Sequence, residues 1–382
     1  MFEKKTGVIA IFANLLVMFW VTAAQAYVGL CCAHCGGNMP LNIFGGGIPE
    51  PHEFRFKISQ MQMEMGTLRD GTDDIMASSL VGPPNGTTFA AVPKSMSMAM
   101  TMVGGAYSFS DDFAVMAMAS YIRNEMDMSI FRNVGSDFTM TSDGIGDFTV
   151  LGKYRVYKDD NLVPTKQVSV LFGLSLPSGA IDRHFTKNTV AGQNGTILPF
   201  KMQLGSGTVD PIIGVTYQGS RDPWWWGVNT QLEAHVYENE QGYRRGHELR
   251  YDFYVMRQVH DKVVLHTQLN GWYEGTYNRE PYNGRVLGNG HQNGDRTNNN
   301  FLSPLFDPQN YGGHKLAVSV GAQFQPIPLH IIELTGTIPI HQDLNGPQLQ
   351  DAYMLRLSYY VEVPTKRSRR YKGFSAPKEL GF

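Results

Sequence analysis

The sequence predicts an all-β protein, an antiparallel transmembrane β-barrel of the outer-membrane type with about 12 strands. The first observation is composition: 21 Phe, 18 Tyr and 5 Trp accompany 41 Gly, and only 17% of the residues are charged. The second is that apolar and polar residues alternate in successive segments from residue 53 onward, as is typical of transmembrane strands. The third is that short and long links between these segments alternate.

The first 26 residues are predicted to be a cleaved secretory signal. Two lysines precede an apolar stretch from Val8 to Val21, and Ala24-Gln25-Ala26 follows as a cleavage pattern. No later apolar run reaches the roughly 20 residues that a membrane helix needs. Residues 27–52 are then expected to form a periplasmic segment that contains cysteine and histidine.

The barrel is predicted over residues 53–363, followed by a basic tail over residues 364–382. The alternation places strands at 53–66, 95–107, 113–128, 144–157, 167–178, 202–218, 224–238, 247–260, 262–277, 313–326, 330–342 and 350–363. Links after the even-numbered strands are short, whereas most of the others are long, such as residues 278–312. This asymmetry predicts that the barrel lies in the outer membrane of a Gram-negative bacterium and is surrounded by lipid. The short turns and both termini are then expected in the periplasm.

Several strands carry polar and charged residues on one face, which cannot face lipid and are therefore predicted to line the interior. These residues are Glu233, His235, Glu248, Arg250, Asp252, His266 and Glu274, joined by Glu333, His341 and Arg356. They could select ions or hold a plug, or they could be the hydrogen-bonded filling of a small barrel. On the opposite faces, Trp224, Trp226 and Tyr277 are predicted to belong to aromatic girdles.

Twelve of the 19 methionines lie between Met61 and Met128, and all of these except Met76 are on the first three predicted strands. A rule that apolar residues face outward would direct them to lipid, but strand parity predicts the reverse. In the first strand they alternate with Phe54, Phe56 and Ile58 and share a face with Arg55 and Lys57. A methionine-lined inner wall is therefore predicted, formed by Met61, Met63, Met65, Met96, Met98, Met100, Met102, Met116 and Met118.

Three interpretations of this wall remain open. Thioethers bind soft ions such as Cu(I), so the wall could pass copper-class ions between weak sites. Methionine is also flexible and polarizable, so the wall could accommodate an apolar or aromatic solute. The third interpretation is packing filler, or lipid-facing side chains after an unseen β-bulge.

All three cysteines lie in the N-terminal segment, where a soft-metal site is one interpretation. Its candidate ligands are Cys31, Cys32, His34, Cys35 and Met39. The alternative is that Cys32 and Cys35 form a disulfide in the periplasm. No cofactor is expected other than copper.

Other classes of function are less compatible with the sequence. A formal net charge of -2 lacks the basic footprint of a nucleic-acid-binding protein. No His-x-Ser pattern of outer-membrane phospholipases occurs, and no nucleophile has an evident base beside it. The protein is therefore predicted not to be an enzyme.

Four stretches carry a resemblance to a known family: "QMEMGTLRDGTD" (62–73), "SDGIGDFTVLGKYRVY" (142–157), "GLSLPSG" (173–179) and "MQLGSGTVDPIIGVTY" (202–217). The chain resembles the outer-membrane transporters grouped with the MetA-pathway-of-phenol-degradation family, particularly its methionine-rich members. The resemblance implies an outer-membrane barrel with a transport role and no catalytic signature.

The sequence thus predicts an outer-membrane channel or transporter for a small solute, with soft metal ions such as copper as the first expectation. One alternative is uptake of small apolar or aromatic compounds along the same wall. Another is a barrel without transport activity that acts as a structural element or binds ligands through its long loops. The oligomeric state is not predicted.

Overall fold

A computed structural model describes residues 39–43, 51–83, 88–132, 135–161, 164–185, 197–279 and 301–368. The predicted signal, the cysteines and most of the basic tail lie outside these residues. No helix in the described part of the chain is long and apolar enough to cross a membrane.

Nearly all of the regular structure is β-strand. The strands are β1 (Glu53–Gly71), β2 (Asp73–Ile75), β3 (Ala91–Ser108), β4 (Phe113–Ile130), β5 (Phe138–Ile145), β6 (Phe148–Lys158), β7 (Lys166–Leu176), β8 (Asp210–Arg221), β9 (Trp224–Glu233), β10 (Tyr243–Arg244), β11 (Glu248–His260), β12 (Val263–Glu274), β13 (Asn278–Arg279), β14 (Gly313–Phe324) and β15 (His330–Pro364). Among the described residues, the helices are one short α-helix, α1 (Ala77–Leu80), and the 3-10 turns Phe200–Met202, Pro304–Phe306 and Pro308–Asn310.

The main sheet closes into a barrel because β15 pairs with β1 as well as with β14. Eleven strands form the closed antiparallel ring, and β2 and β5 pair with it outside that path. β15 reverses direction near Gly346, which has a φ of 67°. Its first half pairs with β14 and its second half with β1, so this hairpin accounts for the last two of the strands predicted from sequence.

The two rims of the barrel differ. Tight connections join β3 to β4, β8 to β9 and β11 to β12 at one rim, which we name the turn rim. The paired ends Glu53 and Pro364 lie at this rim as well. The long connections after β7, β9 and β12 lie at the opposite rim, which we name the loop rim. The short and long links predicted from sequence therefore fall on opposite rims.

Alternation along each strand sets the inner and outer faces. Near the turn rim, Phe54, Phe56 and Ile58 point outward with exposed fractions of 40, 47 and 48%. The same outward face becomes polar toward the loop rim, beginning with Gln60 and Gln62. The apolar belt on β1 is thus confined to the half of the strand nearer the turn rim.

Two of the apolar clusters in the barrel interior lie near its opposite rims. The loop-rim cluster combines methionines of β1, β3, β4 and β5 with aromatic and aliphatic residues of the long connections. The turn-rim cluster combines Met39, Leu41 and Ile43 with wall residues such as Trp225 and Tyr360. The interior is therefore narrowed at both ends by residues that are not part of the wall strands.

Candidate functional site

The methionines of the predicted wall lie on the sheet face opposite the exposed residues Phe54, Phe56 and Ile58. Met65 lies opposite Met96 on β3, Met96 opposite Met126 on β4, and Met126 opposite Met140 on β5. Side chains directly opposite one another in an antiparallel pair share a face, with Cβ atoms about 4.5–5.5 Å apart. Four adjacent strands thus contribute one continuous row of thioethers.

Further rows extend the wall toward the turn rim. Met63 lies between Met98 and Met354, and Met61 lies opposite Met100. The remaining predicted members, Met102, Met116 and Met118, follow on β3 and β4 with the same parity. No register shift interrupts the β1–β3 pairing, so no bulge turns these side chains toward lipid. The register also places Met126, Met128, Met140 and Met354 on this face.

The polar lining lies on the other side of the interior. Glu233, Glu248 and Glu274 are directly opposite one another on β9, β11 and β12. Arg250 donates to Oε2 of Glu248 at 2.7 Å, and its side chain is 53% accessible. Because Arg250 points inward, that accessibility indicates space for water inside the barrel.

Asp252, His266 and His235 of the predicted lining also lie inside. Asp252 accepts hydrogen bonds from the amides of Asn229 and Asn270 at 3.3 and 2.7 Å. His266 is buried, with Nε2 3.5 Å from Oε2 of Glu333. His235 is buried just beyond the end of β9.

Two residues lie where the sequence did not predict them. A register shift between Leu316 and Ala317 changes the parity toward the loop rim. As a result His341 is exposed on the outer face, with its ring 6.1 Å from that of His314. Tyr277 was expected in an outer girdle, but the chain turns inward after β12 and buries it in the loop-rim cluster.

An aromatic group from the long connections closes the loop rim. Phe200 packs against Tyr243 and Tyr311 with ring centroids 4.6 and 5.3 Å apart. Tyr277 stacks on Tyr311 at 4.5 Å. Burial raises the pKa of Tyr277 and Tyr311 well above the usual value, so both are neutral phenols. This group was not predicted, although the aromatic residues between Phe301 and Tyr311 are a signal for it in the sequence.

Asp147 joins three of the sequence stretches that carry the family resemblance. Its Oδ1 accepts from the backbone N–H of Gly179 at 2.9 Å and its Oδ2 from that of Ser206 at 2.6 Å. A side chain at Gly205 would place its Cβ 2.5 Å from both Oδ1 of Asp147 and the carbonyl oxygen of Gly179. These stretches therefore anchor the connection between β7 and β8 to the barrel wall.

Residues 39–43, which we name the plug segment, lie inside the barrel near the turn rim. The N–H of Leu41 donates to both carboxylate oxygens of Glu333, and its carbonyl oxygen accepts from Lys57 at 2.9 Å. Asn42 and Gln268 exchange amide hydrogen bonds at 2.9 and 2.8 Å. Met39, one of the predicted metal ligands, is buried here, whereas Cys31, Cys32, His34 and Cys35 lie outside the described residues.

The architecture is that of an outer-membrane β-barrel with narrowed ends and a lined interior. A profile of the family described as "Putative MetA-pathway of phenol degradation" matches residues 70–325. The chain belongs to this family. No curated protein sequence matches it significantly.

Solved structures with the same fold include an outer membrane channel from Pseudomonas putida F1. It is 10% identical with a TM-score of 0.54, and the match covers 90% of this chain and all of the other. More distant is the NanC porin, with 10% identity, a TM-score of 0.37 and coverages of 79 and 100%. A mutant of the monoaromatic hydrocarbon channel TodX has 8% identity, a TM-score of 0.39 and coverages of 82 and 91%.

Proposed function

We propose that the protein is an outer-membrane channel that passes small apolar or aromatic compounds along its methionine wall. The observation that carries this proposal is the continuity between the wall and the aromatic group inside one barrel. Flexible thioethers and aromatic rings together form an adaptable surface for apolar solutes. The description of the family, a pathway of phenol degradation, is consistent with an aromatic substrate.

The proposed path runs from the loop rim to the turn rim, with the loop rim outside the cell and the termini in the periplasm. A solute first displaces side chains of the loop-rim cluster. It then meets Met63, Met98 and Met100, which are only partly buried. Arg250 and Asn270 lie on the polar side of the interior, where they could bind a hydroxyl group of the solute. The plug segment forms the last barrier.

A second candidate function is passage of Cu(I)-class ions. The specific observation in its favour is the row of Met65, Met96, Met126 and Met140 on four adjacent strands. Soft cations accept thioether ligands, and neighbouring rows could serve as successive weak sites. The polar residues on the other side of the barrel interior do not require a metal ion. Passage of Cu(I)-class ions is therefore the second candidate function rather than the first.

Initial uptake rates of radiolabelled toluene in cells that lack their general porins test the first function. A variant in which Met63, Met98 and Met100 are all changed to Leu should retain toluene uptake, because the wall stays apolar. Met98→Glu should reduce uptake at least several-fold, because a carboxylate is placed in the path. Met76→Leu is the matched control, since Met76 is 77% exposed outside the interior.

Sensitivity of the same cells to copper and silver ions separates the two functions. A variant in which Met65, Met96, Met126 and Met140 are all changed to Leu should lose any protein-dependent metal sensitivity if the thioethers carry ions. Toluene uptake that is equal with and without the protein, or that is unchanged in Met98→Glu, would contradict the apolar channel. Unchanged metal sensitivity in this fourfold leucine variant would contradict the copper pathway.

A further inference from the structure

Three potential metal ligands meet at the loop rim, away from the methionine wall. One donor atom from each of Asp210, Glu233 and His235 lies within 4.8 Å of the others. From this geometry we propose a binding site for a divalent cation of the zinc class, independent of the proposed transport function. Imidazole and carboxylate together suit borderline cations such as Zn²⁺.

The backbone holds these three side chains on one face. Ile212 of β8 lies opposite Glu233 of β9, and the N–H of Ala234 donates to the carbonyl oxygen of Pro211 at 3.0 Å. Continuing this antiparallel register places Asp210 opposite His235. Glu233 precedes His235 by two residues, so it shares the same side of the strand. The ligands thus lie on a paired backbone.

The polar atoms of the site are oriented for a ligand. Asp210 is fully buried and His235 is 2% exposed. The hydroxyl of Thr208 donates to Oδ1 of Asp210 at 2.6 Å, which leaves Oδ2, 3.0 Å from Nδ1 of His235. Nε2 of His235 is buried without a hydrogen-bond partner among the described residues. An orphaned buried imidazole nitrogen is costly unless something binds it.

The surrounding charge favours a cation. Glu233 lies directly opposite Glu248, and like charges in that position repel. Arg250 donates to Glu248, and no ion pair with Glu233 is found among the described residues. Because Asp210 adds a further buried carboxylate, a divalent ion would neutralise repulsion that the neighbouring arginine does not remove.

A cation at this site would connect strands β8 and β9 to the loops that close the barrel. Thr208 belongs to the connection that Asp147 anchors, and Asn239, shortly after His235, donates to the carbonyl oxygen of Ser206 at 2.8 Å. A cation bound to Asp210, Glu233 and His235 would therefore fix the base of both loops. The expected consequence is a more stable loop rim when the ion is present.

Calorimetric titration of the purified, refolded barrel with Zn²⁺ tests the proposal. The background should carry Cys31→Ser, Cys32→Ser and Cys35→Ser and no histidine tag, so that the N-terminal ligands do not contribute. One ion per chain should bind. Loss of an outer-shell partner alone costs about 10–100-fold in metal affinity, so His235→Gln and Glu233→Gln should each weaken binding by at least about tenfold.

His260→Gln is the matched control, since His260 is exposed at the opposite rim, and it should bind Zn²⁺ as the parent does. The gel mobility shift between unheated and boiled samples verifies that each variant is folded. A parent that binds no ion, or a folded His235→Gln variant that binds with the parent's affinity, would overturn the proposal. Asp210 and His235 would then be an ordinary buried ion pair.

Discussion

Glu333 on the barrel wall and Leu41 in the plug segment are 292 residues apart in sequence, yet both carboxylate oxygens of Glu333 accept from the backbone N–H of Leu41, at 3.0 and 2.8 Å. Glu333 is fully buried, and Oε2 also accepts from the amide of Gln323 at 2.7 Å. Burying a charged carboxylate is costly unless it accepts hydrogen bonds. Displacing Leu41 would remove hydrogen bonds that stabilise the charge of Glu333, so Glu333 holds the plug segment in this position.

Glu333→Gln should loosen the plug segment. The substituted side chain keeps one acceptor oxygen but turns an NH₂ group toward donors that it cannot satisfy. Hydrogen bonds to charged groups contribute about 1.5–3 kcal/mol, so docking should weaken by roughly that amount. Single-channel recordings in planar bilayers should show more frequent or larger openings, and Glu240→Gln at the exposed loop rim should behave as the parent. Identical conductance in all three proteins would show that the plug segment does not limit passage.

Asp147→Ala should detach the connection between β7 and β8 from the wall. The substitution removes the acceptors of the Gly179 and Ser206 N–H groups, and the expected loss is roughly 2–4 kcal/mol of loop stability. Limited proteolysis should cut this connection faster in the variant, while the barrel still migrates as a folded species. Asp182→Ala, an exposed change in the same connection, serves as the control. Equal cleavage rates would mean that Asp147 does not hold the loop.

The barrel could be predicted from the sequence, because side chains of a strand alternate with a period of two. Phe54 and Phe56 fix the outer parity of β1, and Met61 then follows as inward. Parity failed where the backbone departs from a regular strand, as at the register shift before His341 and after β12 at Tyr277. The plug contact with Glu333 depends on tertiary packing across the whole chain, which alternation does not encode.

Lys201 should make the loop rim sensitive to alkaline pH. Burial, reinforced by the positive charge of Lys315, holds the pKa of Lys201 below its ordinary value of 10.5, and Glu274, Asp351 and Glu248 oppose this only in part. Below the folded-state pKa the lysine is charged in both states, and its burial opposes folding. Between the two pKa values the unfolded chain binds more protons, so stability rises with pH.

Lys201→Met should therefore flatten this rise in the free energy of unfolding, measured in urea between neutral pH and about pH 10.5. The variant also loses the hydrogen bond from Nζ to Oε1 of Gln348 at 3.1 Å, which lowers stability at every pH without changing the slope. Lys366→Met, an exposed change near the turn rim, should keep the parental slope. A slope in Lys201→Met equal to that of the parent would refute the assignment.

The outer face of β1 predicts where the lipid boundary lies, and arginine substitutions can locate it. Phe56 and Gln62 share this face, but Phe56 belongs to the apolar belt and Gln62 lies in the polar half, where it donates to the hydroxyl of Ser97 at 2.7 Å. Arginine costs about 2–4 kcal/mol at the centre of the membrane and about 0–1 near its surface.

Phe56→Arg should thus lower the stability of the barrel folded into lipid vesicles far more than Gln62→Arg does. Phe56→Leu is the control that measures the loss of the aromatic ring alone. Equal losses for the two arginine variants would mean that lipid reaches Gln62, and that the methionine row inside β1 lies within the membrane rather than above it.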